Sequence, residues 1–203
     1  LALEAVAPKP ETSGMKITTT PYLKHHFLIA MPHMADPRFA QTLVYMVEHN
    51  AEGAMGLIVN RPSGLSLADV LEQLRPDEPI PALCQSLPIF AGGPVQTDRG
   101  FVLHSAEQQF QATLMLGPLG MSTSQDVLFA IADGQGPQRH FVALGYAGWE
   151  AGQLEAELAD NTWLSCPADP QILFDLPHDQ RLQAAAASLG VDLRLLSTQV
   201  GHA

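Results

Sequence analysis

Thr42–Asn60 runs TLVYMVEHNAEGAMGLIVN. Two short apolar stretches, 42–48 and 54–60, rich in Val, Ile, Leu and Tyr, flank His49-Asn50-Ala51-Glu52-Gly53, whose Asn and Gly suit a tight reversal. Runs this short with this composition predict an antiparallel β-hairpin rather than two helices. Upstream, Phe27–Ala30 has the same character. Downstream, so do Leu87–Ala91, Phe101–His104, Ala112–Leu116, His140–Tyr146 and the shorter Trp163–Cys166 and Gln171–Phe174.

Helices separate these strands. Leu67, Val70, Leu71 and Leu74 fall at i, i+3, i+4 and i+7; Ser66 and Asp69 form a capping-box pattern, Leu65 can staple to Val70, and Pro76 ends the run. A second helix is expected from Ser122-Thr123-Ser124-Gln125-Asp126 to Gly134, where Ser122/Gln125 and Thr123/Asp126 both match the capping box. A third covers Glu150–Asp160, entered through a Gly-rich turn at 145–148. A fourth carries Leu182, Ala185, Ala186 and Leu189 on one side, with Gly190 as its terminator. Strands mixed with hairpins and helices imply an α/β fold of α+β character: a mixed central β-sheet flanked by helices.

Leu1–Gly14 precedes the first methionine and lacks the basic start and apolar run of a secretory signal, so it is expected to be a disordered tail or an expression remnant, with one domain over 15–203. If two lobes exist, the proline-dense 76–88 is a seam. The longest unbroken apolar run, Val127–Ala132, is far too short for a membrane span. The net charge is −11, and 140–180 holds seven carboxylates and no Lys or Arg. Such a surface repels phosphate backbones, which makes direct nucleic-acid binding unfavourable and points to a protein partner or a small ligand. Two cysteines, Cys84 and Cys166, form no disulfide framework, and a cytoplasmic location is expected.

No GxSxG, P-loop, HExxH, CxxC or GxGxxG pattern is present, so no catalytic residue, metal or cofactor is predicted. The histidines avoid the close helical spacings of metal sites. Cys84 has no basic neighbour to activate it, Cys166 reads as core, and Ser122, Thr123 and Ser124 are accounted for by capping.

Three segments are richer than structure requires, and each keeps two readings. Asn60-Arg61 ends an apolar strand, either in a plain turn or at a sheet rim where ligands bind. Gly92–Gly100 is hairpin-like: Gly92 and Gly93 let the backbone approach something closely, and Asp98 and Arg99 either pair with each other or supply an anion fork. In 145–161, Gln153, Glu157 and Asn161 stack at i, i+4 and i+8 beside Leu154 and Leu158, with Tyr146 and Trp149 at the entrance. That is either an aromatic-walled cleft for a polar ligand or cation, or close packing permitted by Gly148 and Gly152.

Together FLIAMP (27–32), GAMGLIVNRP (53–62), GGPVQTDRGFVLH (92–104), MSTSQDVL (121–128), LGYAGWEAGQLEAELADNTWL (144–164) and the terminal GHA (201–203) resemble the bacterial AlgH family, also called YqgE. The resemblance covers Met15–Ala203. It implies a compact protein with a mixed central sheet, a smaller α+β portion, and a regulatory role connected with alginate exopolysaccharide and transcription; it supplies no catalytic set. The family's signature positions fall on Asn60, Arg61, Gly92, Gly93, Pro94, Arg99, Gly145, Tyr146, Gly148, Trp149, Gln153, Glu155, Glu157 and Trp163. The expected function is a regulatory interaction protein. The alternative is a small-molecule, nucleotide or phosphate binder or enzyme with its site at the sheet rim.

Overall fold

A computed structural model describes residues 22–198. The expected tail at 1–14, the methionine at 15 and the terminal GHA lie outside them. The hairpin forms as expected: β2 (Leu43–Asn50) pairs antiparallel with β3 (Gly53–Ile58), Val44 opposite Ile58 and Asn50 opposite Gly53. On its outer side β1 (His26–Ala30) joins β2, and β10 (Trp163–Pro167) joins β1. Because side chains alternate, Phe27 and Ile29 enter one core while Leu28 and Ala30 enter another.

The long strand β9 (His140–Glu150) organises the rest. Its second half pairs with β3, Ala54 opposite Trp149. Its first half lies between β5 (Pro88–Ala91), the one parallel neighbour, and β6 (Val95–Ser105). Next to β5 lies β4 (Pro62–Ser66). Beyond β6 come β8 (Leu119–Ser122) and, at the edge, β7 (Thr113–Leu116). The sheet is therefore mixed but mostly antiparallel, and β3 and β5 share one side of β9.

Helices cover both faces. One face carries a continuous core, from Phe27 and Tyr45 to Phe101 and Phe141, under α4 (Pro170–Phe174), α5 (His178–Ser188) and α6 (Leu193–Thr198). The other face is divided. α3 (Gln153–Ala159) closes a cluster with Trp149 and Trp163, while α1 (Leu67–Leu74) and α2 (Asp126–Ala132) close one with Val102 and Val142. The Ser66 capping box forms in full, and α1 ends at Arg75, before Pro76. The proline-dense segment folds as a 3-10 turn, Ala82–Ser86, that buries Cys84 in the α1–α2 cluster.

Several expectations are corrected. The Gly-rich 145–148 is not a turn but the middle of β9. Gly145, at φ +76°, inserts one extra residue, so Phe141 and Ala143 share a core face with Tyr146, whereas Ala147 and Trp149 face the α3 cluster. The segment 92–100 is a short connection, 92–94, followed by the start of β6 with residues 96–99 looped out, since Val95 lies opposite Tyr146 and Gly100 opposite Leu144. Gln171–Phe174 is helical, because the Asp169 side chain accepts from Gln171 N–H at 2.9 Å and Pro170 starts the turn. Ser122 is no helix cap. It sits in β8, and Gln125 caps α2 without a side-chain bond. Leu189 is exposed, and Arg181 takes a place on the buried side of α5.

Candidate functional site

A cavity of about 680 Å³ opens at the end of β3, between the loop 31–41 and helices α5 and α6. Asn60 and Arg61 line it and also build its wall. The Asn60 carboxamide accepts from Leu43 N–H and donates to the Gln41 carbonyl, both at 2.9 Å. Gln41 itself stands at φ +57°, a left-handed conformation that a glutamine rarely adopts. Arg61 spreads its guanidinium over the carbonyls of Pro37, Arg38 and Ala40, binding the loop to the sheet rim.

Arg181 lies on α5 beside the lining residue Leu182, but it is only 7% exposed and does not itself line the cavity. It donates to the carbonyls of Val59 and Leu176 and lies against the rings of Phe90 and Phe141. Burial pushes its pKa down to about 10. Neither Arg61 nor Arg181 has a carboxylate partner among the described residues. The lip adds Arg194, which is paired with Asp192 at 2.9 Å, together with His178, Gln183 and Asp179. The side chains of Gln41 and Gln183 make no hydrogen bond among the described residues and are available to a ligand.

Gly92 and Gly93 approach not a ligand but β9. A Cβ on Gly92 would stand 2.3 Å from the Gly145 carbonyl oxygen, and one on Gly93 2.1 Å from the Tyr146 carbonyl carbon. Gly92 links β3 to β9, accepting from Ile58 N–H and donating to the Leu144 carbonyl, each at 2.8 Å. Asp98 and Arg99 lie in the loop of β6. Arg99 reaches Gln96 at 3.3 Å and the Phe101 ring, and Asp98 borders a second cavity of about 200 Å³ between α1 and α2. Arg61 and Arg99 thus fall in different surroundings, and only Arg61 lines the large cleft.

The third segment folds on itself. Glu157 Oε2 accepts from Trp149 Nε1 at 2.9 Å and from Trp163 Nε1 at 2.8 Å, while its other oxygen accepts from Gln153 at 3.2 Å. Gln153 in turn accepts from Glu150 N–H at 3.0 Å, and the two indoles meet edge-on with Phe39 packed against both. Tyr146 lies on the opposite face of the sheet, edge-on to Phe101, and Gly148 shares its side. The structure does not bring Tyr146 and Trp149 to one wall. Nearby, His49 Nδ1 accepts from Leu23 N–H at 2.9 Å, so its proton sits on Nε2 and is donated to Glu155 at 2.8 Å.

One buried polar chain has no counterpart in the sequence reading. His104 donates from Nδ1 to the Ser105 carbonyl at 2.8 Å, which leaves Nε2 to accept from the Ser122 hydroxyl at 2.7 Å; Thr113 lies 2.7 Å beyond. The cleft residues from α5 and α6 were also missed. The available signal was an arginine one position before the apolar stripe of α5. No group of three or more His, Cys, Asp or Glu among the described residues is arranged to hold a metal. Cys84 and Cys166 are buried free thiols, and burial pushes both upward, away from the reactive thiolate.

The AlgH-like family profile matches residues 27–194. A relative from Stutzerimonas stutzeri, named only as a UPF0301 protein, is 94% identical over 93% of this chain and all of its own length. AlgH of Pseudomonas aeruginosa is 70% identical over the same shares. Its solution structure superposes with a TM-score of 0.77, covering 93% of this chain and all of that one. A crystal structure of a Corynebacterium diphtheriae protein, 20% identical, shares the fold with a TM-score of 0.68 over 88% of this chain and 93% of its own. With a profile spanning most of the domain and full-length relatives at this identity, the chain belongs to the AlgH-like family.

Proposed function

We propose that this chain is a non-enzymatic regulatory protein that holds a small anionic ligand in the cleft at the end of β3 and acts through a protein partner. The observation that carries the reading is Arg61, a guanidinium in the cavity lining with only backbone carbonyls as acceptors; the buried Arg181, held by the Val59 and Leu176 carbonyls, adds positive charge near the end of β3 without lining the cavity. In a chain of net charge −11 the lining of this cavity holds two arginines, Arg61 and Arg194, to one carboxylate, Asp179, with Gln41 and Gln183 free to orient what enters. A carboxylate or phosphate group is the complement of that charge. The regulatory role, including any connection with exopolysaccharide production or transcription, rests on the family resemblance. Direct duplex binding is not part of the proposal, because α5 and α6 carry one arginine each. A cytoplasmic location is supported by the two unpaired buried thiols and by the lack, among the described residues, of a helix long and apolar enough to cross a membrane.

The test is thermal unfolding against inorganic phosphate, citrate, sugar phosphates and nucleotides. A ligand at about 100 times its Kd adds about 2.7 kcal/mol, which moves the midpoint of a domain this size by roughly 5–10 °C. The shift should disappear in a double variant, Gln183→Ala with Arg194→Ala, which alters the lip and leaves the Arg61 loop intact. A flat panel, or a shift indifferent both to that variant and to Arg61→Ala, rejects the cleft as the site.

A further inference from the structure

The edge strand β7 has β8 on one side and no strand on the other among the described residues. Leu114 and Met115 on it are 50% and 42% exposed. An open edge is commonly protected by shortness, a charge, a proline or a bulge; β7 is short, four residues, but carries none of the other three. From Gln108 to Gln125 there is no Lys, Arg, Asp or Glu. We propose that this edge is a self-association surface, on which a second copy of the chain lays its own β7 antiparallel across a two-fold axis and joins the two sheets.

The argument for a second copy is charge and symmetry. Two chains of net −11 repel one another, but β7 itself carries no charge, and the carboxylate at its flank, Asp126, is taken up by Gln111 N–H and the Ser124 hydroxyl. An antiparallel edge strand is also its own complement under a two-fold. Thr123 N–H donates to the Ala112 carbonyl at 3.0 Å, so by alternation the backbones of Ala112, Leu114 and Leu116 turn to β8 and those of Thr113 and Met115 turn outward. Leu116 is in the core beneath α4–α6, which places Leu114 on that face and Met115 on the other. Only a register that pairs residues of like parity keeps both faces aligned. An axis through Leu114 satisfies this. Thr113 of each copy exchanges hydrogen bonds with Met115 of the other, and the two Leu114 side chains meet as a close, non-hydrogen-bonded pair. The shortness of β7 makes the dimer weak and concentration-dependent.

Sedimentation velocity of the full chain, from low micromolar to high micromolar, reads the association. The expected result is a reversible monomer–dimer equilibrium that Leu114→Lys and Leu114→Glu each weaken by about tenfold or more, the size of a like-charge penalty at an interface. Mixing the two variants should restore association as a heterodimer, and unchanged far-ultraviolet circular dichroism shows that each still folds. A wild-type chain that stays monomeric throughout overturns the proposal, even if β7 captures some other protein. So does a dimer that neither variant weakens, or a mixture that fails to restore it.

Discussion

Asn60 Nδ2 donates to the carbonyl of Gln41 at 2.9 Å, and this bond holds Gln41 in a left-handed backbone conformation at the mouth of the cleft. A non-glycine residue with positive φ persists only where its surroundings fix it. Asn60→Ala removes this bond and leaves Leu43 N–H without its acceptor, and should cost about 1–3 kcal/mol. Gln41→Gly relieves the strain and should be neutral or stabilising, up to about 1 kcal/mol. Urea unfolding of the two variants checks both signs. A destabilised Gln41→Gly would show that the side chain, not the backbone, matters there.

Among the described residues, Glu157 is the only carboxylate bonded to the Trp149 and Trp163 indoles. Both rings are buried, while Glu157 keeps some solvent contact, so the cost of leaving two indole N–H groups unpaired is discounted to about 2 kcal/mol for Glu157→Leu. Glu157→Gln keeps an acceptor and should cost less. Near-ultraviolet circular dichroism should change for Glu157→Leu, because both tryptophans lose their anchor. An unchanged tryptophan signature would contradict the network.

Burial holds His140 below its ordinary 6.5, with the Pro137 carbonyl opposing and His104 pushing further down; burial does the same for His25. Both thus bind protons more readily when unfolded. Their contribution to stability is therefore complete above about pH 6.5 and is lost as pH falls below it. The unfolding free energy should decline between roughly pH 6.5 and 5, before carboxylates titrate, and His140→Phe should flatten that decline. A profile level down to pH 5 would count against both groups.

What was legible in the sequence was what neighbours in the chain decide. The 42–60 hairpin, the Ser66/Asp69 box and the strand alternation of 27–30 all depend on residues a few positions apart, and all appear. The 145–148 segment misled because its glycines answer to a distant part of the chain: Gly145 packs against the Gly93 carbonyl. A glycine required by a remote backbone looks, locally, like a turn. Arg61 was recognisable as a rim residue, but not its grip on the 37–40 carbonyls. Trp149 was left between a cleft wall and close packing, because its partner Glu157 had been assigned to a polar stripe rather than to a bond; the bond to Glu157 and the burial of the indole are the packed arrangement. Gln41 carries no local mark of its positive φ.

The glycine crossing gives the sharpest test of the fold. β3 and β5 share one side of β9, and the chain between β5 and β6 passes against β9 at Gly92 and Gly93. A Cβ at Gly93, which stands at φ +156°, would overlap the Tyr146 carbonyl, and one at Gly145, at φ +76°, would lie 2.4 Å from the Gly93 oxygen. In each case the obstacle is backbone and has no rotamer to escape into. Gly93→Ala and Gly145→Ala should each cost more than about 4 kcal/mol and yield largely unfolded protein. Gly134→Ala, with a positive φ of 72° but open space around it, should cost only about 1 kcal/mol. Denaturation midpoints of the three variants order these outcomes. Equal losses would mean that backbone conformation, rather than the approach of β9, accounts for the glycines at the crossing.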